Sequence, residues 1–427
     1  MKKILIAILA CVLVFTMAAC GGTSGGSGTA GQTTIKVFTN LPDRTTGQGL
    51  VEQTLFDQYV AENPNIKIEV EALDDESYKT KMKAYASGSG LPDFVSIWGQ
   101  PSFLDAYVDA GLFAELNEAD YADYGFLEGS LAGFSKDGKL YGLPRNTDMM
   151  AFYYNEKIFN DNGWKVPASY EELLALGKTI SDKGMIPVAM DGGDKWPICI
   201  YVTDLLVKIG GSDYMAHSLQ SIADKNFSDP RYLQSAQLLQ QAYDAGLFQK
   251  GFETADYGTA LNLFINGQAA MYYMGSWEMS MAANQEISAD IRDNIRAFTM
   301  PVVAGGKGQA NDITAWNGGG HAIIAKSAVK DEALKLLNYM YLPENWNRLA
   351  WENNVCMSAQ DFSKYKTGNE TPVQLQLVDI LANSSSISGT TINDLGTADF
   401  KTKIEDLSQQ DAIKSITPEN FISGLSS

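Results

Sequence analysis

At 427 residues the chain is too long for one ordinary domain, so two lobes are expected. Apolar residues make up 45% and charged residues 19%, the composition of a globular chain and not of a disordered one. A formal charge of −19 speaks against nucleic acid as a partner, because phosphates need neutralising Lys and Arg, and favours a neutral or cationic ligand.

Lys2-Lys3 precede an apolar run, Ile4 to Met17, that is too short for a typical membrane-spanning helix. The run ends Met17-Ala18-Ala19-Cys20, which resembles a bacterial lipoprotein signal, although that pattern prefers Leu where Met17 stands. The resemblance implies cleavage before Cys20 and lipidation of the new N-terminal cysteine. A plain secretory peptide is the other reading. Gly21 to Gly31 is mostly Gly, Ser, Thr and Ala, a flexible tether without core-forming side chains. Residues 1–19 are therefore assigned to the signal, and 20–33 to a lipidated cysteine and tether.

Beyond the tether the elements alternate. Thr34 to Thr39 reads as a strand, Leu50 to Asn63 as a helix, Ile66 to Leu73 as a strand, Ser77 to Ser87 as a helix, and Pro92 to Gly99 as a third strand with a loop after it. This order predicts parallel pairing in an α/β lobe. In open α/β sheets ligands sit beyond the C-terminal ends of strands, which points to Asn40, Asp43 and Arg44 after the first and to Trp98 and Gln100 after the third. Phe103 to Gly111 reads as a helix, and Lys136-Asp137-Gly138-Lys139 as a hairpin turn.

The run from Tyr141 to Asn155 is the pivot of the chain. Gly142 and Pro144 punctuate it, and Met149 to Tyr154 reads as a buried strand. A helix starting at Asn155 stops at Asn162-Gly163, and Ser169 with Glu172 opens the next with a capping box. Tyr-Gly-Leu-Pro, a polar patch, an aromatic strand ending Tyr153-Tyr154-Asn155, then Trp164, Pro167 and the helix from Tyr170 resemble the extracellular sugar-binding proteins of bacterial ABC importers, the maltose-binding-protein-like group. The resemblance runs over about residues 35 to 350 and fades after them. It implies a type II periplasmic-binding-protein fold: two α/β lobes joined by several hinge crossovers around a ligand cleft. It also implies that this segment crosses between lobes and that Asp148 occupies the place of an acidic sugar-binding residue. Members of the group present an aromatic ring where Trp98 stands.

In the second lobe Ile186 to Met190 reads as a strand, and Asp191 to Pro197 as a loop lining the cleft with Asp191 and Trp196. Its two Asp and two Gly lack the ligand set of an EF-hand, so no metal is expected. Apolar helices are expected at Ile198 to Ile209 and Pro230 to Gly246. A helix ending at Asn266-Gly267, a strand to Met274 and then Gly275-Ser276-Trp277-Glu278 form a second match to the group, which implies that Trp277 stacks on sugar; Glu278 beside it could accept hydroxyl hydrogen bonds. Ser276 also reads as the cap of a helix, and both readings can hold together. Ala297 to Val302 reads as a strand leading back to the first lobe. Gly-rich Trp316 to Ile324 borders the cleft in the group, which adds Trp316 and Asn317, and Pro343-Glu344 begins a third crossing. The expected division is 34–145 with 304–344, and 146–303 with 345–427.

The two histidines lie far apart in sequence, and HExxH, GxSxG and CxxC are absent, so neither a triad nor a zinc set is supplied. Cys199 and Cys356 read as buried free thiols. A sugar site needs aromatic faces for C–H surfaces and carboxylates, amides or Arg for hydroxyls. The expectation is a lipid-anchored, exported, monomeric binding protein without cofactor, catalytic residues or nucleic-acid partner, handing a carbohydrate to ABC permease subunits. The alternatives are a surface-anchored glycoside hydrolase, or the same fold holding a polyol or peptide.

Overall fold

The computed structural model describes residues 31–88 and 90–427. The signal sequence and Cys20 lie outside the described residues.

Two sheets carry the architecture. The first runs Ile66–Ala72, Thr33–Thr39, Phe94–Trp98, Gly319–Ile323, Leu143–Pro144. Its first three strands are parallel, as the alternating strands and helices predict, and Gly319–Ile323 enters antiparallel to both its neighbours. The second runs Ile295–Phe298, Thr147–Asn155, Ala269–Gly275, Ile186–Ala189. Thr147–Asn155 is buried from Asp148 onward, which is why it reads as an unbroken apolar run rather than an alternating one. Each sheet has its own core. Phe38, Tyr78, Phe94 and Trp346 belong to the first, and Phe152, Tyr201, Tyr273 and Leu239 to the second.

Two of the local cap signals held. Asn155 accepts from Ile158 N at 3.0 Å, and Gly163 ends that helix in the left-handed region at φ 68°. Ser169 accepts from Glu172 N at 3.2 Å, while Glu172 reaches back to Ala168 N, one residue earlier than a standard box. The 136–139 turn has positive φ at Asp137 and Gly138, as a two-residue hairpin turn requires. Ser276 is not a cap: its hydroxyl accepts from Met149 N at 3.2 Å and ties two strands together.

The chain changes sheet three times, and the three passages lie side by side. Arg145 N donates to Gly319 O at 2.9 Å, Gly318 N to Asn146 O at 3.1 Å, and Thr147 N to Met357 O at 2.8 Å. Two of these passages lie later than the prolines suggested. Ala315–Asn317 pairs with Thr147–Met149 in the second sheet, so the return comes at Gly318 and not before residue 304. Trp346, Ala350, Val355 and Cys356 still pack in the first core, so the third passage follows Cys356 and not Glu344. Pro343 lies in a turn, but partners far away in sequence decide which sheet the chain joins. The helices Pro372–Ala382, Ala398–Ala412 and Pro418–Ser426 pack on the second core. Cys199 and Cys356 are free and buried in different cores.

Candidate functional site

A cavity of about 570 Å³ lies between the two sheets, within the roughly 300–1,000 Å³ range of small-molecule sites. Its floor is the passage between lobes, where Arg145, Asn146, Asp148, Gly318 and Gly319 meet. Glycine is required there by space. A Cβ on Gly318 would fall 1.7 Å from Asp148 Oδ2, and one on Gly319 2.5 Å from Arg145 Nη2. Asp148 is 3% exposed and accepts from Asn146 Nδ2.

Aromatic rings form the walls. Trp277 stands between Trp196 and Trp316, with ring centroids 6.0 Å and 6.3 Å away. Gly275 makes room for the indole, since a Cβ there would sit 2.1 Å from the Trp277 ring. Trp98 faces them from the first sheet's end, edge-on to Phe103 at 5.0 Å, with Lys79 Nζ 5.4 Å from its ring. Trp98, Trp196, Trp277 and Trp316, from four separate stretches of chain, thus line one space.

Asn40, Asp43, Gln100 and Glu278 line it as well. Asn40 is held from three sides: its N–H donates to Ser96 Oγ, its Nδ2 to Asp75 Oδ1 at 2.7 Å, and its Oδ1 accepts from Arg145 Nη2 at 3.1 Å. Asp43 spends its oxygens on Thr45 and Thr46. Although burial opposes it, these bonds hold its carboxyl below the ordinary value. Glu278 accepts from the Tyr257 hydroxyl.

Arg44, Asp191 and Asn317 do not line the cavity. Arg44 pairs with Glu52, a fully buried carboxylate that also takes a 2.9 Å bond from His321 and needs a cation beside it. Asp191 is wholly buried and accepts from Asp194 N at 3.1 Å; the tight packing of Gly192 and Gly193 on Phe252 and Ala255 turns it inward, and Asp194 lines the cavity instead. Asn317 follows Trp316 in a strand, so its side chain points the other way and accepts from Thr147 Oγ1.

The structure adds residues that sequence reasoning passed over. Arg145 and Asn146 stand directly after Pro144, and charge in the middle of a pivot is a readable signal. Lys79, Asp394, Lys401 and Glu405 carry none: the last three lie in the C-terminal part and reach the cavity only through the fold. Ser102 Oγ donates to Asp394 Oδ1 at 2.5 Å, and Lys401 Nζ to the same oxygen at 2.7 Å, so the two walls touch there. Among the described residues no group of three His, Cys, Asp or Glu is placed to hold a metal.

Burial pushes the Asp148 carboxyl up to about 7, against the pull of Asn146, Arg145 and Ser276, and pushes Glu278 up to about 8. The folded chain therefore holds the Asp148 proton more tightly than the unfolded chain. Stability from this group is full below its ordinary value of 3.8 and is lost as pH rises through about 7. Urea midpoints are expected to fall between about pH 4 and about pH 7, and to fall less in Asp148→Asn. Equal slopes would show that Asp148 does not hold a proton there.

The profile of the bacterial extracellular solute-binding proteins matches residues 54–351. The multiple sugar-binding protein of Streptococcus mutans is 26% identical over 329 residues, 76% of this chain and 74% of the relative. A structure from work on xylan utilisation by the thermophilic bacterium Caldanaerobius polysaccharolyticus superposes with a TM-score of 0.84 at 26% identity, covering 92% of this chain and 99% of the other. A chitin oligosaccharide-binding protein shares the fold at a TM-score of 0.81 and 22% identity, covering 92% and 97%. The fold is that of the type II periplasmic sugar-binding proteins. No helix among the described residues is long and apolar enough to cross a membrane. With a profile match spanning more than half its length and this architecture around the cavity, the chain belongs to the family of bacterial extracellular solute-binding proteins.

Proposed function

We propose that the chain captures a carbohydrate, an oligosaccharide, between its lobes and hands it unaltered to the membrane subunits of an ABC importer, as a monomer tethered outside the cell by lipid on Cys20. The carrying observation is the set of four indoles on both walls of one cavity, above a floor of Asn40, Arg145 and Asp148. Flat rings cover the C–H faces of a sugar, and the polar floor satisfies its hydroxyls, each of which would cost about 1–3 kcal/mol if buried unpaired. The sugars in the names of the similar proteins agree with this reading. The division we propose assigns residues 34–145 and 319–361 to one lobe and 146–318 with 362–427 to the other, because 359–361 pair with 125–127. The lobes close about the three adjacent passages by hinge motion.

Thermal unfolding against a panel of oligosaccharides tests the function. A true ligand at 100 times its Kd adds about 2.7 kcal/mol, and chromatography of the recovered sugar should show it uncut. No stabilisation by any glycan, or release of shorter products, would refute the proposal.

Ser102 and Asp394 clasp the lobes together, so Ser102→Ala is expected to raise the Kd about tenfold by removing a hydrogen bond to a carboxylate. Scattering should show the ligand-free variant more open than the parent. An unchanged Kd would mean that the clasp plays no part in closure.

A further inference from the structure

The cavity is not chemically uniform. On one side of the indoles it continues along the helix Tyr257–Ile265, where Tyr257, Leu261 and Ile265, spaced four apart, form one half-buried face along the cavity. Phe264 and Ala260 on the same helix are the ones that fill the core. Met281 and Ile287 continue this wall, and Leu41 and Pro42 of the first lobe line the same cavity.

Several polar groups nearby are already engaged. Asp43 is bonded to Thr45 and Thr46, the Tyr257 hydroxyl to Glu278, and Asn284 Oδ1 to Glu286 N at 2.9 Å. A sugar ring laid along the Leu261 and Ile265 face would bury hydroxyls against carbon, which costs free energy. An apolar group placed here would leave water for surface of its own kind.

We propose that this arm is a subsite for an apolar aglycone of aryl size, attached to the sugar held by the indoles. The inference rests on the carbohydrate reading above and narrows it: the ligand class is an amphiphilic glycoside, with its polyhydroxylated part over Asp148 and its apolar part between Leu261 and Leu41. The arm is continuous with the main site, so one molecule reaches both, and Leu261 and Ile265 decide which substituents are accepted.

The experiment is calorimetric titration with matched methyl and p-nitrophenyl glycosides of mono-, di- and trisaccharides. For the sugars that bind, the p-nitrophenyl glycoside is expected to bind about tenfold tighter than its methyl partner. Leu261→Ser with Ile265→Ser should erase that advantage and leave the Kd of the methyl glycoside within about twofold, because both side chains are half-buried and neither belongs to the indoles or the floor. Tyr257 is left unchanged in this variant, since it also holds Glu278. Equal affinity within each pair, or an aryl advantage that survives the double substitution, would overturn the subsite alone. Failure of every methyl and every p-nitrophenyl glycoside to bind would overturn the carbohydrate reading and the subsite with it.

Discussion

Trp277→Ala is expected to abolish ligand-induced stabilisation while the ligand-free protein still unfolds in one cooperative transition. The indole is the middle ring of three, and the Gly275 backbone gives way to it, so it has no second position of equal quality. It is only half-buried, unlike Trp346 or Trp351 in the cores, so removing it opens the cavity more than it voids the core. Truncation of a central aromatic anchor costs about 2–4 kcal/mol of binding, a Kd raised some 30- to 1,000-fold. Trp277→Phe, which keeps a flat face, should recover part of the loss. Titration of both variants decides the matter. Unaltered binding by Trp277→Ala would remove this ring from the site and leave Trp98 as the main stacking face.

The contrast between Trp277 and its neighbours shows what the sequence discloses. Trp98 closes a buried strand, so the rule that ligands sit beyond strand ends pointed to it, whereas Trp277, two residues past its strand, was found through the resemblance to the sugar-binding group. Trp196 opens a helix after a turn and Trp316 sits within a three-residue strand, and their neighbours Asp191 and Asn317 were expected in the cleft with them. In Ala315–Asn317 the alternation of side chains admits one of two adjacent residues, and the choice depends on pairing with Thr147–Met149 from 170 positions earlier. Arg44 and Arg145 differ for a similar reason. Arg44 looked available in a polar loop, but Glu52, hidden in a helix eight residues on, claims it. Arg145 lies in a passage whose identity as floor emerges only once Gly318 and Gly319 come beside it. The sites of passage were shifted by the same non-local pairing: hydrogen-bonded partners, and not nearby prolines, decide the sheet.

Gly318→Ala is expected to be among the most damaging single-methyl changes in the chain. The added carbon would lie 1.7 Å from Asp148 Oδ2, far inside contact distance, and a tight 3.3 Å from Asn146 Nδ2. Asp148 has little room to retreat, since it is buried and its other oxygen is held by Asn146. The alternative is for the 318 backbone to move, which breaks the bond from Gly318 N to Asn146 O and separates two of the three passages. Either response costs about 2–4 kcal/mol of stability and tilts the floor on which the ligand rests. Asp148→Ala removes the obstructing carboxylate, so in that background Gly318→Ala should cost less than about 1 kcal/mol. The resulting coupling of about 1–3 kcal/mol is measurable from denaturant midpoints of the four proteins in a double-mutant cycle. If Gly318→Ala costs the same in both backgrounds, its damage arises in the backbone and not against Asp148. If it costs little in either, the lobes join less tightly at this point than the packing of Gly318 against Asp148 requires.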